Sequence, residues 1–148
     1  DDDDSTPPGD DDDSTPPPGG VTETLSCSDT ALVDVWSFTA SSGASIRVRV
    51  DTTSAATAFD PYAMLYSGPP QSGTQLMSGD DDVPCTYPPP QHSCPDFTAS
   101  ASSSGQHTVV VTHASANCAG STANYSLSVT QNGGSVSLSL LSDDVAAP

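Results

Sequence analysis

Apolar and polar residues alternate along much of the chain after residue 20. In the clearest stretch, Ile46, Val48 and Val50 alternate with two arginines. Residues 125–130 and 135–141 follow the same rule, with apolar residues at every second position and mainly serine or threonine between them. A period of two places successive side chains on opposite faces of a strand. The pattern therefore predicts half-buried antiparallel strands.

Shorter segments extend this set of strands. Trp36 and Phe38 share a face in segment 32–39, and similar same-face groups occur in segments 61–66 and 107–113. Turn sequences such as Gly68-Pro69-Pro70 and Asn132-Gly133-Gly134 separate the segments. About eight or nine short strands without a helical period predict an all-β fold, an antiparallel β-sandwich or jelly roll.

The 148 residues divide into three parts. Residues 1–20 hold two near-copies of a nine-residue acidic repeat rich in Ser, Thr and Pro. Residues 21–131 are predicted to form the β-sandwich domain, and residues 132–148 a C-terminal extension. Like charges and prolines extend a chain, so the repeat is predicted to be an extended acidic N-terminal tail. Such a tail is either a solvated spacer or is held in place by ions or by a neighbouring molecule.

The C-terminal extension contains one extra amphipathic strand, predicted at 135–141. The strand can return to the edge of its own sheet. Alternatively, it can add to the sheet edge of a neighbouring molecule, because an alternating strand after a glycine-rich turn is suited to such pairing.

Charge excludes several classes of partner. Asp and Glu number 19, Lys and Arg number 2, and the net charge is −17. Such a surface repels nucleic acid and anionic lipid. The only two cations, Arg47 and Arg49, are expected to pair with the surplus of acids. No stretch approaches the roughly 20 apolar residues of a transmembrane helix, so no transmembrane segment is predicted.

Four cysteines indicate two disulfides and an oxidising compartment. Of the three pairings that four cysteines allow, we favour Cys85 with Cys94, which closes a short proline-rich loop, and Cys27 with Cys118. We therefore expect a secreted protein, on a bacterial cell surface or in the medium. Any signal peptide is expected to have been removed or to lie upstream of residue 1.

Five segments together resemble the bacterial pre-peptidase C-terminal (PPC) domain family over residues 21–130. They are Trp36-Ser37-Phe38 with the strand that follows it, residues 59–66 (FDPYAMLY), residues 78–82 (SGDDD), residues 105–109 (GQHTV) and residues 124–129 (NYSLSV). The chain departs from the family's pattern at His107, where an aromatic residue is usual, and in the cysteine-closed insert after the Asp run. The resemblance implies a jelly-roll module with a non-catalytic role in targeting, adhesion or assembly.

The resemblance also implies that five aspartates approach one edge of the sandwich: Asp60, Asp80, Asp81, Asp82 and Asp96. Clustered carboxylates repel unless a cation neutralises them, and Ca²⁺ accepts six to eight oxygen ligands in tolerant geometry. We therefore predict a calcium site. The alternative is that Asp60 caps the turn before Pro61 and that the Asp run is a solvated loop.

No catalytic motif accompanies these features, and we expect no enzymatic activity. His92, His107 and His113 lack a recognisable nucleophile beside them, and a zinc site at His107 and His113 is a weak alternative to simple packing. Asn124 begins a sequon for N-linked glycosylation.

The chain is accordingly predicted to be a secreted structural module that forms a fibre or surface assembly through its terminal segments, by self-association or with other surface proteins. The alternative is an accessory adhesion or substrate-targeting module of a secreted hydrolase or cell-surface protein, with carbohydrate as a further ligand class.

Overall fold

The computed structural model describes residues 20–26, 32–53, 59–86, 93–114 and 122–146. The acidic repeat within residues 1–19, the predicted Cys27–Cys118 pair and His92 lie outside these ranges. Within them the chain forms strands and no helix: β1 (Gly20–Ser26), β2 (Leu32–Ala40), β3 (Ser45–Thr52), β4 (Pro61–Ser67), β5 (Thr74–Gly79), β6 (Val83–Pro84), β7 (Ser93–Cys94), β8 (Asp96–Ser100), β9 (Gly105–His113), β10 (Thr122–Gln131), β11 (Gly134–Ser135) and β12 (Ser139–Ala146).

The strands form two antiparallel sheets. Sheet 1 has the order β1-β10-β3-β8, with β11 paired to the end of β10. Sheet 2 has the order β12-β2-β9-β4-β5. The short strands β6 and β7 form a separate two-stranded sheet. The predicted all-β sandwich is confirmed. In the described part of the chain, no helix is long and apolar enough to cross a membrane.

The core lies between the two sheets, and the alternating segments supply it. Sheet 1 contributes the apolar positions 46, 48, 50, 125, 127 and 129, and sheet 2 contributes positions 36, 38, 63, 65, 109 and 111. A second, smaller apolar cluster of Val33, Val35 and Val110 is formed by the opposite face of sheet 2. Strands β2 and β9 therefore carry apolar residues on both faces, as central strands do.

The C-terminal extension completes sheet 2, although it is not the single strand predicted at 135–141. Asn132 and Gly133 have positive φ angles of 51° and 83° and form the tight turn between β10 and β11. Residues 136–138 then pass from sheet 1 to sheet 2, with Val136 and Leu138 packed against the core. The predicted strand is divided because Ser135 pairs with β10, whereas Ser139 and Leu140 pair with β2.

Candidate metal centre

The β4–β5 hairpin brings three of the five predicted metal ligands together. Ala63 pairs with Gly79, so the residue before β4 and the residues after β5 emerge at the same end of the hairpin. Asp60, Asp80 and Asp81 each place a carboxylate oxygen within 4.8 Å of the other two. Asp60 and Asp80 are half-buried and Asp81 is exposed. The site therefore consists of acids on one rigid hairpin, with one side open to solvent.

Gly79 holds the acidic loop close to the core. A Cβ atom at this position would overlap the ring of Phe97 on β8 and the carboxylate of Asp82. Gly79 is itself buried. A side chain here would force the ring of Phe97, the carboxylate of Asp82 or the backbone to shift, so glycine allows this close approach of the acidic loop to β8.

Backbone donors of the neighbouring strands fasten the rest of the loop. The N–H of Ser93 donates to Oδ1 of Asp81 at 3.2 Å, and the N–H of Asp96 donates to Oδ2 of Asp82 at 3.0 Å. These bonds connect the loop to β7 and β8. Asp82 thus uses one carboxylate oxygen to hold the loop in place, and it is not a member of the cluster of Asp60, Asp80 and Asp81.

Asp96 is engaged by the two arginines of β3. Its Oδ1 accepts from Nε of Arg47 at 2.7 Å, and its Oδ2 accepts from Nη2 of Arg47 at 2.6 Å and from Nη1 of Arg49 at 3.2 Å. The hydrogen bonds from Arg47 lower the pKa of Asp96 below its ordinary value, against the effect of burial. The expected pairing of both arginines with acids is confirmed, and we do not include Asp96 in the metal centre.

Asp51 is a second arginine partner, which the sequence did not single out. It accepts from Nη2 of Arg49 at 2.9 Å, and from the backbone N–H and hydroxyl of Thr86 at 2.8 and 2.7 Å. Burial opposes its ionisation, but the bonds from Thr86 and Arg49 outweigh that effect, so the pKa of Asp51 is lowered. Because side chains alternate along β3, Asp51 lies on the same face as Arg47 and Arg49. This spacing was the signal in the sequence from which the ion pair could have been predicted.

The predicted disulfide Cys85–Cys94 is present beside Asp51. The two sulfur atoms and a carboxylate oxygen of Asp51 lie within 4.8 Å of one another. Disulfide sulfur is not a thiolate and does not serve as a metal ligand in the way a thiolate does. The cluster of Asp60, Asp80 and Asp81 is therefore the better candidate for an ion.

The donor set fits a hard divalent cation. It contains only carboxylate oxygens, and Ca²⁺ prefers such ligands and accepts waters and backbone carbonyls to complete its shell. Oδ1 of Asp60 and Oδ1 of Asp80 are both shielded from solvent, where neighbouring negative charges repel strongly. A bound cation would relieve that repulsion.

The histidines do not form a metal site in the described part of the chain. His107 and His113 are buried, and the groups of acids, histidines and cysteines close enough to share an ion include neither of them. His107 packs against Phe38 with 5.7 Å between ring centroids, and His113 packs against Phe59 at 5.8 Å. Their packing role is the one that the sequence favoured.

A buried polar group links the two sheets. Tyr125 on β10 donates to Oδ2 of Asp34 on β2 at 2.7 Å and accepts from Nε1 of Trp36 at 2.9 Å. Asp34 and Tyr125 are fully buried. Burial and the hydrogen bond to Asp34 raise the pKa of Tyr125 well above its ordinary value, against the smaller effect of Trp36. The sequence did not predict this carboxylate in the core.

Asn124, the predicted glycosylation residue, is exposed on β10. Its Oδ1 accepts a hydrogen bond from the hydroxyl of Thr24 on β1 at 2.7 Å. The residue lies on the outer face of sheet 1, so an attached sugar would extend into solvent.

Comparison with known proteins gives matches in structure only. No protein-family model and no curated protein matches the sequence. The chain is similar to the solved structure of PliG from Aeromonas hydrophila, a periplasmic lysozyme inhibitor of g-type lysozyme, with a TM-score of 0.56 and 14% identity over 76% of this chain and 83% of that chain. This likeness shows a shared fold.

A second similar structure is the pre-peptidase C-terminal domain of collagenase from Bacillus anthracis. The TM-score is 0.45 and the identity is 18%, over 75% of this chain and 89% of that chain. This domain belongs to the family that the sequence motifs resemble.

Proposed function

We propose that this protein is a non-catalytic, secreted β-sandwich module that binds Ca²⁺ and assembles with itself or with other surface proteins into an extracellular fibre or surface layer. The observation that carries the calcium part is the convergence of Asp60, Asp80 and Asp81 at one end of the β4–β5 hairpin. The ion would join the two ends of this hairpin and stabilise the edge of sheet 2.

The disulfide supports the location. Cys85–Cys94 requires an oxidising compartment, which agrees with an extracellular or periplasmic protein. A module outside the cell also meets millimolar calcium, which is the range that weak extracellular calcium sites use. The acidic N-terminal repeat adds further carboxylates that could share ions with a neighbouring molecule.

Thermal unfolding with and without Ca²⁺ tests the metal centre. A ligand that binds only the folded state adds about 2.7 kcal/mol at a hundredfold excess over its Kd. We expect Ca²⁺ to raise the Tm of the wild-type protein by several degrees and EDTA to reverse the rise. The double substitution Asp60→Asn and Asp80→Asn should abolish the rise.

Asp143→Asn on β12 is the control for the loss of a surface carboxylate, since it removes one negative charge outside the cluster, and the single variant Asp60→Asn is compared with it charge for charge. An equal calcium response in the double variant would contradict the site, and no response in the wild type would contradict calcium binding. Size-exclusion chromatography of the same samples tests assembly, which predicts large particles that shrink in EDTA.

The second candidate is an accessory adhesion or substrate-targeting module of a secreted hydrolase or cell-surface protein. The likeness of fold to PliG favours it, because an inhibitor acts by binding another protein. This function predicts a monomer at all concentrations that co-sediments with an insoluble target such as cell-wall polysaccharide or collagen. A monomer that binds neither would leave no support for it.

A further inference from the structure

The exposed apolar side chains of the described residues are confined to two strands. Large apolar side chains that are well exposed occur at Met77, Leu140, Leu141 and Val145, with exposed fractions of 41%, 38%, 51% and 38%. Met77 lies on β5 and the other three lie on β12. These strands are the two edges of sheet 2. In the ranges that the structure describes, the edge strands β1 and β8 of sheet 1 carry no such residue.

The same two edges are poor in charge. Strand β5 contains no charged residue, and β12 begins with four uncharged residues, 139–142, before Asp143. The whole chain carries a net charge of −17, so most of its surface repels a second copy. An edge strand leaves a row of backbone N–H and C=O groups without sheet partners, and charged residues are the usual protection against pairing there. Strand β5 and the first half of β12 lack that protection, whereas Asp143 and Asp144 supply it in the second half of β12.

We propose that copies of this chain associate edge to edge through sheet 2, with β12 pairing with β12 of one neighbour and β5 pairing with β5 of another. The inference rests on the proposed assembly function and names the surfaces that carry it. The partner is a second copy because antiparallel pairing of two β12 strands about Leu141 sets Asp143 of each copy opposite the uncharged Ser139 of the other, so that like charges do not face each other.

The topology decides how the edges meet. Four successive antiparallel pairings separate β12 from β5, so the two strands run in the same direction. Pairing β12 with β5 of a copy related by translation would therefore be parallel. Pairing each edge with its own counterpart about a two-fold axis is antiparallel, which is the more stable ladder. Since each molecule has two such edges, alternating contacts extend the sheet without closing it.

Irregularities in both strands limit the length of each contact. Leu76 is left out of the pairing between β4 and β5, and Leu141 is left out of the pairing between β12 and β2. Bulges of this kind bend an edge and shorten the stretch that a neighbour can pair with. We expect contacts of a few residues around Met77 and Leu141, and hence assembly that is reversible and depends on concentration.

Sedimentation velocity of the purified full chain tests the two edges separately. The variants are Met77→Lys, Leu141→Lys and the double variant. The control is Thr98→Lys, at an exposed position on β8 of sheet 1. Every substitution adds one positive charge to an acidic protein and so weakens overall repulsion. A loss of assembly therefore reports on the edge and not on net charge.

We expect each single edge variant to stop at dimers, the double variant to be monomeric and Thr98→Lys to assemble like the wild type. Circular dichroism and thermal melting establish whether the variants fold. If the lysine variants do not fold, the variants Met77→Gln and Leu141→Gln give the same comparison. If single variants are monomeric, or if the double variant assembles like the wild type, the edge inference is wrong while the assembly function stands. A wild-type protein that is monomeric at every concentration would overturn both.

Discussion

Tyr125 on β10 and Asp34 on β2 are joined across the sandwich by a hydrogen bond of 2.7 Å between Oη and Oδ2. Both side chains are fully buried, and the indole N–H of Trp36 donates to the same tyrosine oxygen at 2.9 Å. Buried polar groups in folded proteins nearly always have hydrogen-bond partners. This group therefore fixes the two sheets relative to each other in a way that apolar contact alone does not.

The first prediction concerns Tyr125→Phe. The substitution removes the acceptor of the Trp36 N–H and one donor to Asp34, while it keeps the aromatic ring. Leaving a buried polar group less well satisfied costs about 1–3 kcal/mol. We expect the free energy of unfolding to fall by about that amount, as measured by urea denaturation.

Tyr66→Phe is the control for this substitution. Tyr66 is half-buried, and its hydroxyl donates to Oε1 of Gln75 at 3.3 Å near the surface. We expect a change within about 0.5 kcal/mol, as for most surface substitutions. Equal effects of the two substitutions would show that the buried group has no special role.

Much of the fold could be predicted from alternation, because strands such as β3 and β10 place one face in the core and one in solvent. Alternation does not predict burial in a strand whose two faces are both covered by other parts of the protein. Asp34 lies in such a strand, β2, and its charge gave no sign of burial. Strand β5 was also missed, since its six residues show no clear alternation.

In the candidate site, too, some residues could be placed from local sequence and others could not. Asp60 directly precedes β4, and Asp80 and Asp81 directly follow β5, so local sequence together with the family resemblance predicted that these three acids approach each other. The partners of the Asp96 carboxylate depend on the pairing of β8 with β3, which sets Asp96 opposite Arg49. These two strands are far apart in the chain. Local sequence does not contain such a register, so Asp96 was predicted as a metal ligand when its carboxylate binds two arginines.

The second prediction is a dependence of stability on acid pH through Asp96. Its pKa is lowered in the folded protein, chiefly by the hydrogen bonds from Arg47. Below the unfolded pKa of about 3.9, the unfolded chain binds more protons than the folded chain. The stabilisation is therefore complete above that pH and is lost as the pH falls through the folded pKa.

Asp96→Asn should lower the free energy of unfolding by about 1–2 kcal/mol near pH 7, because two charge-assisted bonds from Arg47 are weakened. The difference from the wild type should then shrink as the pH falls below about 4. Urea denaturation across this pH range measures both effects. Asp143→Asn serves as the control, and a difference for Asp96→Asn that does not change with pH would refute the assignment.

The third prediction concerns Gly79→Ala, which tests whether the packing of β5 against β8 positions the metal centre. The added methyl group meets the buried ring of Phe97 and the carboxylate of Asp82. Overpacking of this kind costs typically about 1–3 kcal/mol. We expect the loop that follows to move outward, and the calcium-induced rise in Tm to become smaller as a result.

Gly134→Ala is the matched control. The φ angle of Gly134 is not positive, and an added methyl group would meet the backbone carbonyl oxygen of Gln131 at 3.5 Å, an ordinary van der Waals distance. We expect stability and calcium response close to those of the wild type. If Gly79→Ala lowers the Tm but leaves the calcium-induced rise unchanged, the glycine serves the core alone. In that case the positions of Asp80 and Asp81 do not depend on the close approach of Phe97.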